Sequence, residues 1–191
     1  MFKNMEKNNN MLPVKKDWNE ENYNALLYVA RPDIPNNILQ KAKEYNLNEK
    51  PEFHLSVIAS KNGKIISDLL SKVDTPEEIK NQIKKEFLNK KWEYELLPEY
   101  FLMEKYYDKN ELDRSGYKDI PEHSRYTLIQ NAKMNDLKDF YIKLSELTGI
   151  TFNQPLAHIT LFSGSTYEPM KDRGIGIYSE DDFNKYLKSK I

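Results

Sequence analysis

Short apolar runs alternate along this chain with stretches in which apolar residues return at helical spacing, so strands and helices are predicted in alternation. Residues 25–30 (Ala-Leu-Leu-Tyr-Val-Ala) end at Arg31-Pro32 and predict a central strand. Ile38, Leu39, Ala42 and Tyr45 then recur on one helical face. A strand follows over 53–58, closed by Lys61-Asn62-Gly63, with a short helix near 64–71. Thr75, Pro76 and Glu78 are placed as N-cap, first helical residue and capping-box partner of a helix whose buried stripe is Ile79, Ile83 and Phe87. Residues 92–97 and 100–106 predict two strands around Pro98-Glu99. Residues 108–123 predict a long polar loop, with His123 at its end, and 125–130 another strand. Met134, Leu137, Phe140, Tyr141, Leu144 and Leu147 form a helical stripe that Gly149 is placed to end. After a strand near 158–162, residues 174–178 predict a short strand, and Ser179 caps a last helix carrying Phe183, Tyr186 and Leu187.

Two of these strands contain the same local word. Phe53-His54-Leu55-Ser56-Val57 and Ala157-His158-Ile159-Thr160-Leu161 each set a histidine and a hydroxyl residue two apart, with aliphatic residues between them. Successive strand side chains point to opposite faces, so His54 shares a face with Ser56, and His158 with Thr160. Each word closes a strand–helix–strand unit. Leu26-Leu27-Tyr28-Val29 leads the first and Tyr126-Thr127-Leu128-Ile129 the second, a divergent internal repeat. Two units related by an approximate two-fold would bring residues a hundred apart into one cleft.

Composition narrows the chemistry. The 191 residues suit one domain, expected over 21–191, after a disordered lead-in over 1–20 that is polar and has no apolar stretch like that of a secretory signal. No run is long enough to cross a membrane, and a cytoplasmic setting is expected. Lysine and arginine (29) nearly balance aspartate and glutamate (30), so broad electrostatic grip on nucleic acid is not a global property and any anion site is local. The lysines at 80, 84, 85, 90 and 91 are read as a solvated helix face rather than an RNA ridge. With no cysteine, disulfides, zinc knuckles and thiol nucleophiles are excluded. Three histidines without an HExxH spacing make a weak case for a metal, and none is expected.

Two imidazoles flanking a phosphodiester can divide its cleavage: one takes the proton of the attacking oxygen and the other protonates the leaving oxygen. The Ser56 and Thr160 hydroxyls, on the same faces, would hold the non-bridging oxygens. Around this core, Arg125 is a candidate phosphate contact through its planar fork. Tyr28 is a candidate cleft wall, Phe162 a base-stacking residue on the histidine face, and Tyr167 the end of a hydroxyl-rich stretch beginning at Ser163. Gly174-Ile175-Gly176 is read as a mark of close packing or backbone strain, not as a nucleotide fingerprint.

His54-Leu55-Ser56-Val57 and His158-Ile159-Thr160-Leu161 together resemble the paired His-Φ-[Ser/Thr]-Φ motifs of the 2H phosphoesterases, the LigT-like superfamily. The likeness runs through the repeat as well, over roughly 21–191, although the first motif carries Ser where Thr is commoner. It implies an α/β fold of the α+β kind: two pseudo-symmetric lobes, each an antiparallel sheet flanked by helices, around a central cleft. It also implies metal-independent hydrolysis of a nucleotide phosphodiester, most simply a 2′,3′-cyclic phosphate, without a cofactor, on a nucleotide or short RNA and with no obligatory protein partner. Trimming of RNA 3′ ends and cleavage of cyclic oligonucleotides would use the same residues. A module that binds a nucleotide or RNA end without turning it over is the alternative of another class.

Overall fold

Residues 10–191 are described by the structure, a computed structural model, and among them the chain forms eight strands and six α-helices. In chain order these are β1 (Lys15–Trp18), β2 (Ala25–Val29), α1 (Asn36–Glu44), β3 (Asn48–Glu49), β4 (Phe53–Ile58), α2 (Ser60–Leu70), α3 (Pro76–Asn89) and β5 (Glu95–Tyr107). Then come α4 (Lys109–Arg114), β6 (His123–Lys133), α5 (Leu137–Thr148), β7 (His158–Ser165), α6 (Glu180–Tyr186) and β8 (Leu187–Lys190), with one 3-10 turn at Glu168–Met170. The fold is α+β. A three-stranded sheet runs β1-β2-β4, a five-stranded sheet runs β3-β7-β6-β5-β8, and every pairing is antiparallel.

The apolar faces read from the sequence for α1, α3 and α5 are the ones turned to the core, whereas α6 has no buried residue. Leu27, Leu55, Ile38, Ile66, Ile83, Phe87, Phe140, Leu128 and Leu161 join one core between the sheets and helices α1, α2, α3 and α5. The opposite face of the large sheet carries a second, smaller cluster of Phe101, Met103 and Ile129 under Ile175 and Ile177. Gly149 ends α5 in the left-handed region, at φ 70°. Lys80, Lys84, Lys90 and Lys91 of the charged helix and its exit each meet a carboxylate, from Glu77, Glu20, Asp136 and Glu93.

Several elements differ from expectation for local reasons. Order begins before Glu21, because β1 pairs with β2; residues 1–9 of the expected lead-in lie outside the described residues. Helix α2 starts at Ser60, so Lys61-Asn62-Gly63 belong to it rather than closing the strand. Glycine is required there: a Cβ on Gly63 would stand 2.2 Å from the Asn22 carbonyl oxygen. Thr75 and Pro76 stand where predicted, but the Thr75 side chain makes no capping hydrogen bond. The two strands around Pro98-Glu99 are one strand, β5, whose register with β6 shifts between Leu96 and Tyr100, so that the proline sits in the irregularity. The long loop contains α4, capped by the Asp108 carboxylate accepting from the Glu111 N–H at 2.8 Å. His123 is a buried strand residue, not a loop end. Residues 174–178 form no strand, and Leu187 lies beyond α6 in β8.

Candidate active site

The two histidine strands come from different sheets and lie against each other. Chain geometry opens the space between them. Just before β4, β3 runs along β7, and the ladder ends with the Lys50 N–H donating to the Leu161 carbonyl at 2.9 Å. A bend at residues 51–52 follows. The chain then leaves the large sheet, and Phe53–Ile58 pairs with β2 of the small one. The wedge left between β4 and β7 is a cavity of about 310 Å³, and His54, Ser56, His158 and Thr160 all line it.

Each histidine strand carries an irregularity at the same place. Leu26 pairs with Ser56 while Ala25 pairs with Ile58, which makes Val57 the extra residue of a bulge. Ile129 pairs with Thr160 while Leu128 pairs with Phe162, which makes Leu161 the extra residue. The fourth residue of both motifs is therefore bulged. Register also corrects the repeat. Tyr28 pairs with His54 and Asn131 with His158, so Leu26-Leu27-Tyr28 correspond to Ile129-Gln130-Asn131, three residues along from the alignment with Tyr126.

The His158 ring is anchored. Its Nδ1–H donates to the Leu156 carbonyl at 2.8 Å, leaving Nε2 as the nitrogen that can exchange a proton with a ligand. Burial pushes the His158 imidazole below its ordinary pKa; the Leu156 carbonyl acts against this, and the charge of His54 acts with it. Burial likewise lowers His54, helped by the charge of Lys50 and opposed by Glu52. Each proton on the pair makes the next harder to add. The singly protonated pair is the form that holds one acid and one base.

The remaining wall includes Asn24 just before β2, Leu26 within it, Ser60 at the start of α2, and residues 174–178. The Ser60 and Tyr178 hydroxyls hydrogen-bond to each other at 3.0 Å, tying α2 to the 174–178 segment. Ile175 donates its N–H to the Thr127 hydroxyl at 3.0 Å. No Asp, Glu, Lys or Arg among the described residues lines the cavity. Among the described residues no three His, Asp or Glu side chains gather as metal ligands, and the cavity offers two imidazoles with hydroxyl and amide groups.

Other sequence candidates are not brought to the cavity. Arg125 is buried in β6, donates from Nε to His123 Nε2 at 3.1 Å and lies 4.2 Å from the Tyr107 ring centroid. The His123 ring stacks on the same tyrosine, and its Nδ1–H donates to the Pro121 carbonyl at 2.8 Å. Tyr28 touches the His54 ring edge-on, with centroids 5.9 Å apart, but faces a separate hollow with Lys50 and Glu52. Phe162 is in the main core, because the bulge at Leu161 reverses the alternation and turns it away from the histidine face. Tyr167 packs 5.9 Å from the His123 ring. Sequence reasoning missed Asn24, Ser60 and Tyr178. Asn24 has the same strand parity as Leu26 and Tyr28, which is a usable signal; nothing local marks the other two.

Comparison with protein-family models, with curated proteins and with solved structures finds no match to this chain.

Proposed function

We propose that this protein is a metal-independent phosphodiesterase of the two-histidine kind, acting on a nucleotide phosphodiester, most simply a 2′,3′-cyclic phosphate. One observation carries the reading: four side chains from two separate sequence words, a hundred residues apart, line one cavity, and each word has its bulge at the same position. A bilobal, pseudo-two-fold arrangement of the 2H type accounts for both facts, since equivalent units place equivalent strands at one junction.

The chemistry follows from the groups present. The phosphorus sits between the imidazoles with its non-bridging oxygens accepting from the Ser56 and Thr160 hydroxyls. The neutral histidine takes a proton from water as the water oxygen bonds to phosphorus. The protonated histidine gives its proton to the ribose oxygen as the P–O bond breaks, and a phosphate monoester leaves. The next cycle restores the starting protonation by moving one proton between the rings through solvent. His158, with Nδ1 anchored on Leu156, presents Nε2 in either role. Low dielectric in the cavity strengthens each hydrogen bond to the developing charge.

A substrate panel tests this: 2′,3′-cyclic mononucleotides, short RNAs with free ends, and cyclic dinucleotides, each with and without EDTA. Turnover of the cyclic mononucleotides at a rate unchanged by EDTA is expected. Turnover restricted to metal-supplemented enzyme would contradict the mechanism, and tight binding with no product over long incubation would favour a binding module.

A further inference from the structure

The segment that leads into β7 is held at very few points. Residues 151–156 follow α5, and among the described residues they make no backbone–backbone hydrogen bond. Two other bonds hold them: the Asn153 carbonyl accepts from the Asn62 amide at 3.0 Å, and the Leu156 carbonyl accepts from the His158 ring at 2.8 Å. Phe152 and Pro155 are buried, which fixes their side chains, but the path of the backbone depends on the Asn62 contact. Beyond Leu156 the chain is fixed again, where the Ala157 carbonyl accepts from the Ala132 N–H at 2.9 Å. The carbonyl that orients His158 therefore lies between two tethers. The link from Asn153 to it is short and stiff, because Pro155 has a fixed φ and Gln154, standing before proline, is confined to extended backbone. A shift at Asn153 reaches Leu156 with little slack to absorb it.

Asn62 holds its end of this link from the other half of the site. It is buried in the first turn of α2, which follows β4 after a single residue, so it is carried by the His54 strand. Its amide uses both N–H bonds. One goes to the Asn153 carbonyl, and the other, at 2.8 Å, to the Tyr141 hydroxyl, which donates in turn to the carbonyl of the bulged Val57. The turn is itself fixed, since Gly63 packs on the Asn22 carbonyl without room for a Cβ and the Ser60 hydroxyl bonds to that of Tyr178. One side chain thus joins the exit of the first histidine strand to the entry of the second. Asn62 is not among the residues that line the cavity, so it can act on the reaction only through them.

Resting on the phosphodiesterase reading, we propose that Asn62 is a positioning residue for the reaction: it fixes the place of the Leu156 carbonyl and, through it, the tautomer and aim of the His158 ring. With that carbonyl in place, the neutral ring carries its proton on Nδ1 and turns a free Nε2 to the substrate. With Asn153 released, the carbonyl drifts from Nδ1 and the neutral ring takes both tautomers. Part of the enzyme then presents an Nε2 that is already protonated and cannot accept a proton.

Nitrogen NMR of the histidine rings tests this without substrate, above neutral pH, where burial leaves both His54 and His158 neutral. Wild type, Asn62→Ala and Tyr141→Phe are compared. Tyr141→Phe removes the bond to the Val57 carbonyl and keeps the one from Asn62 to Asn153, so it controls for general loosening. His158 should carry its proton on Nδ1 in wild type and in Tyr141→Phe, and show mixed tautomers in Asn62→Ala. On cyclic mononucleotides, Asn62→Ala should lower kcat roughly ten- to a hundredfold with KM little changed, since a misplaced group costs the transition state and not ground-state binding. If Asn62→Ala does not fold, Asn62→Asp, of the same shape and without a donor, takes its place. A wild-type ring protonated on Nε2, an unchanged tautomer in the Asn62 variant, an equal shift in Tyr141→Phe, or an unchanged kcat beside a changed tautomer would overturn the positioning role. If wild type turns over no cyclic mononucleotide, the phosphodiesterase reading fails, and the tautomers alone decide whether Asn62 sets the His158 ring.

Discussion

Two imidazoles pushed below their ordinary pKa set how this site should respond to pH. Unperturbed histidine titrates near ~6.5, and burial lowers both His54 and His158. Catalysis needs one ring neutral, which requires a pH above its pKa, and the other charged, which requires a pH below its pKa. With both values depressed in the free enzyme, the bell of kcat/KM against pH should centre on the acidic side of ~6.5. A bound phosphodiester anion favours the charged rings, so the bell for kcat should lie at higher pH than the bell for kcat/KM. Initial rates across pH 4–9 read both curves, and a kcat/KM optimum above neutrality would show that burial does not govern the pair. At this scale the sequence was legible in one respect: the alternation His-aliphatic-hydroxyl-aliphatic put His54 with Ser56 and His158 with Thr160, and these half-buried faces are the ones that line the cavity. Arg125 was not legible, since strand parity says which face a side chain leaves from and not how far along the strand the cavity extends. Its guanidinium lies at His123 and Tyr107 instead, donating from Nε to His123, with Nη2 buried and unpartnered among the described residues.

At the scale of elements, the bulges decide what faces the cavity, and neighbouring elements hold one of them in place. The Tyr141 hydroxyl, from α5, donates to the carbonyl of the bulged Val57 at 2.9 Å and accepts from Asn62 of α2 at 2.8 Å. The ring is buried, which raises its phenol far above the usual range. Tyr141→Phe removes one oxygen and leaves a buried carbonyl and an amide N–H unpaired. It should destabilise the protein by about 1–3 kcal/mol, seen as a lower urea midpoint at constant slope. A loss below about 0.5 kcal/mol, the size of an ordinary surface change, would show that the bulge carbonyl finds another partner. These bulges left no trace in the sequence, because Val57-Ile58 and Leu161-Phe162 read as continuations of regular strands. That is why Phe162 was expected on the wrong face. Helices α3 and α5 were legible, since long amphipathic stripes with Thr75-Pro76 and Gly149 at their ends carry redundant signals, whereas the short α6 was marked chiefly by its Ser179 cap.

For the whole molecule, the organising feature is a junction between two antiparallel sheets, opened where the chain bends at residues 51–52 between β3 and β4. The strands that complete this frame, β1, β3 and β8, are two to four residues long; β3 and β8 are largely exposed and β1 is half-buried. They are held by backbone pairing and show no hydrophobic alternation, so they could not be read from sequence. That a helix lies between β2 and β4 and another between β6 and β7 could be read, although the register of each pair was settled only by pairing. No helix among the described residues is long and apolar enough to cross a membrane. A cavity of about 310 Å³ is at the small end of ligand sites, which suits a single nucleotide better than a folded nucleic acid.

The central claim is that His54 and His158 act as one catalytic unit, and a double-mutant cycle on cyclic mononucleotide turnover tests it most directly. His54→Ala and His158→Ala should each lower kcat by ~10²–10⁴-fold. The double variant should be scarcely slower than either, because groups acting as a unit are strongly non-additive. Near wild-type turnover in either single variant, or losses that simply multiply in the double, would contradict a shared acid–base role.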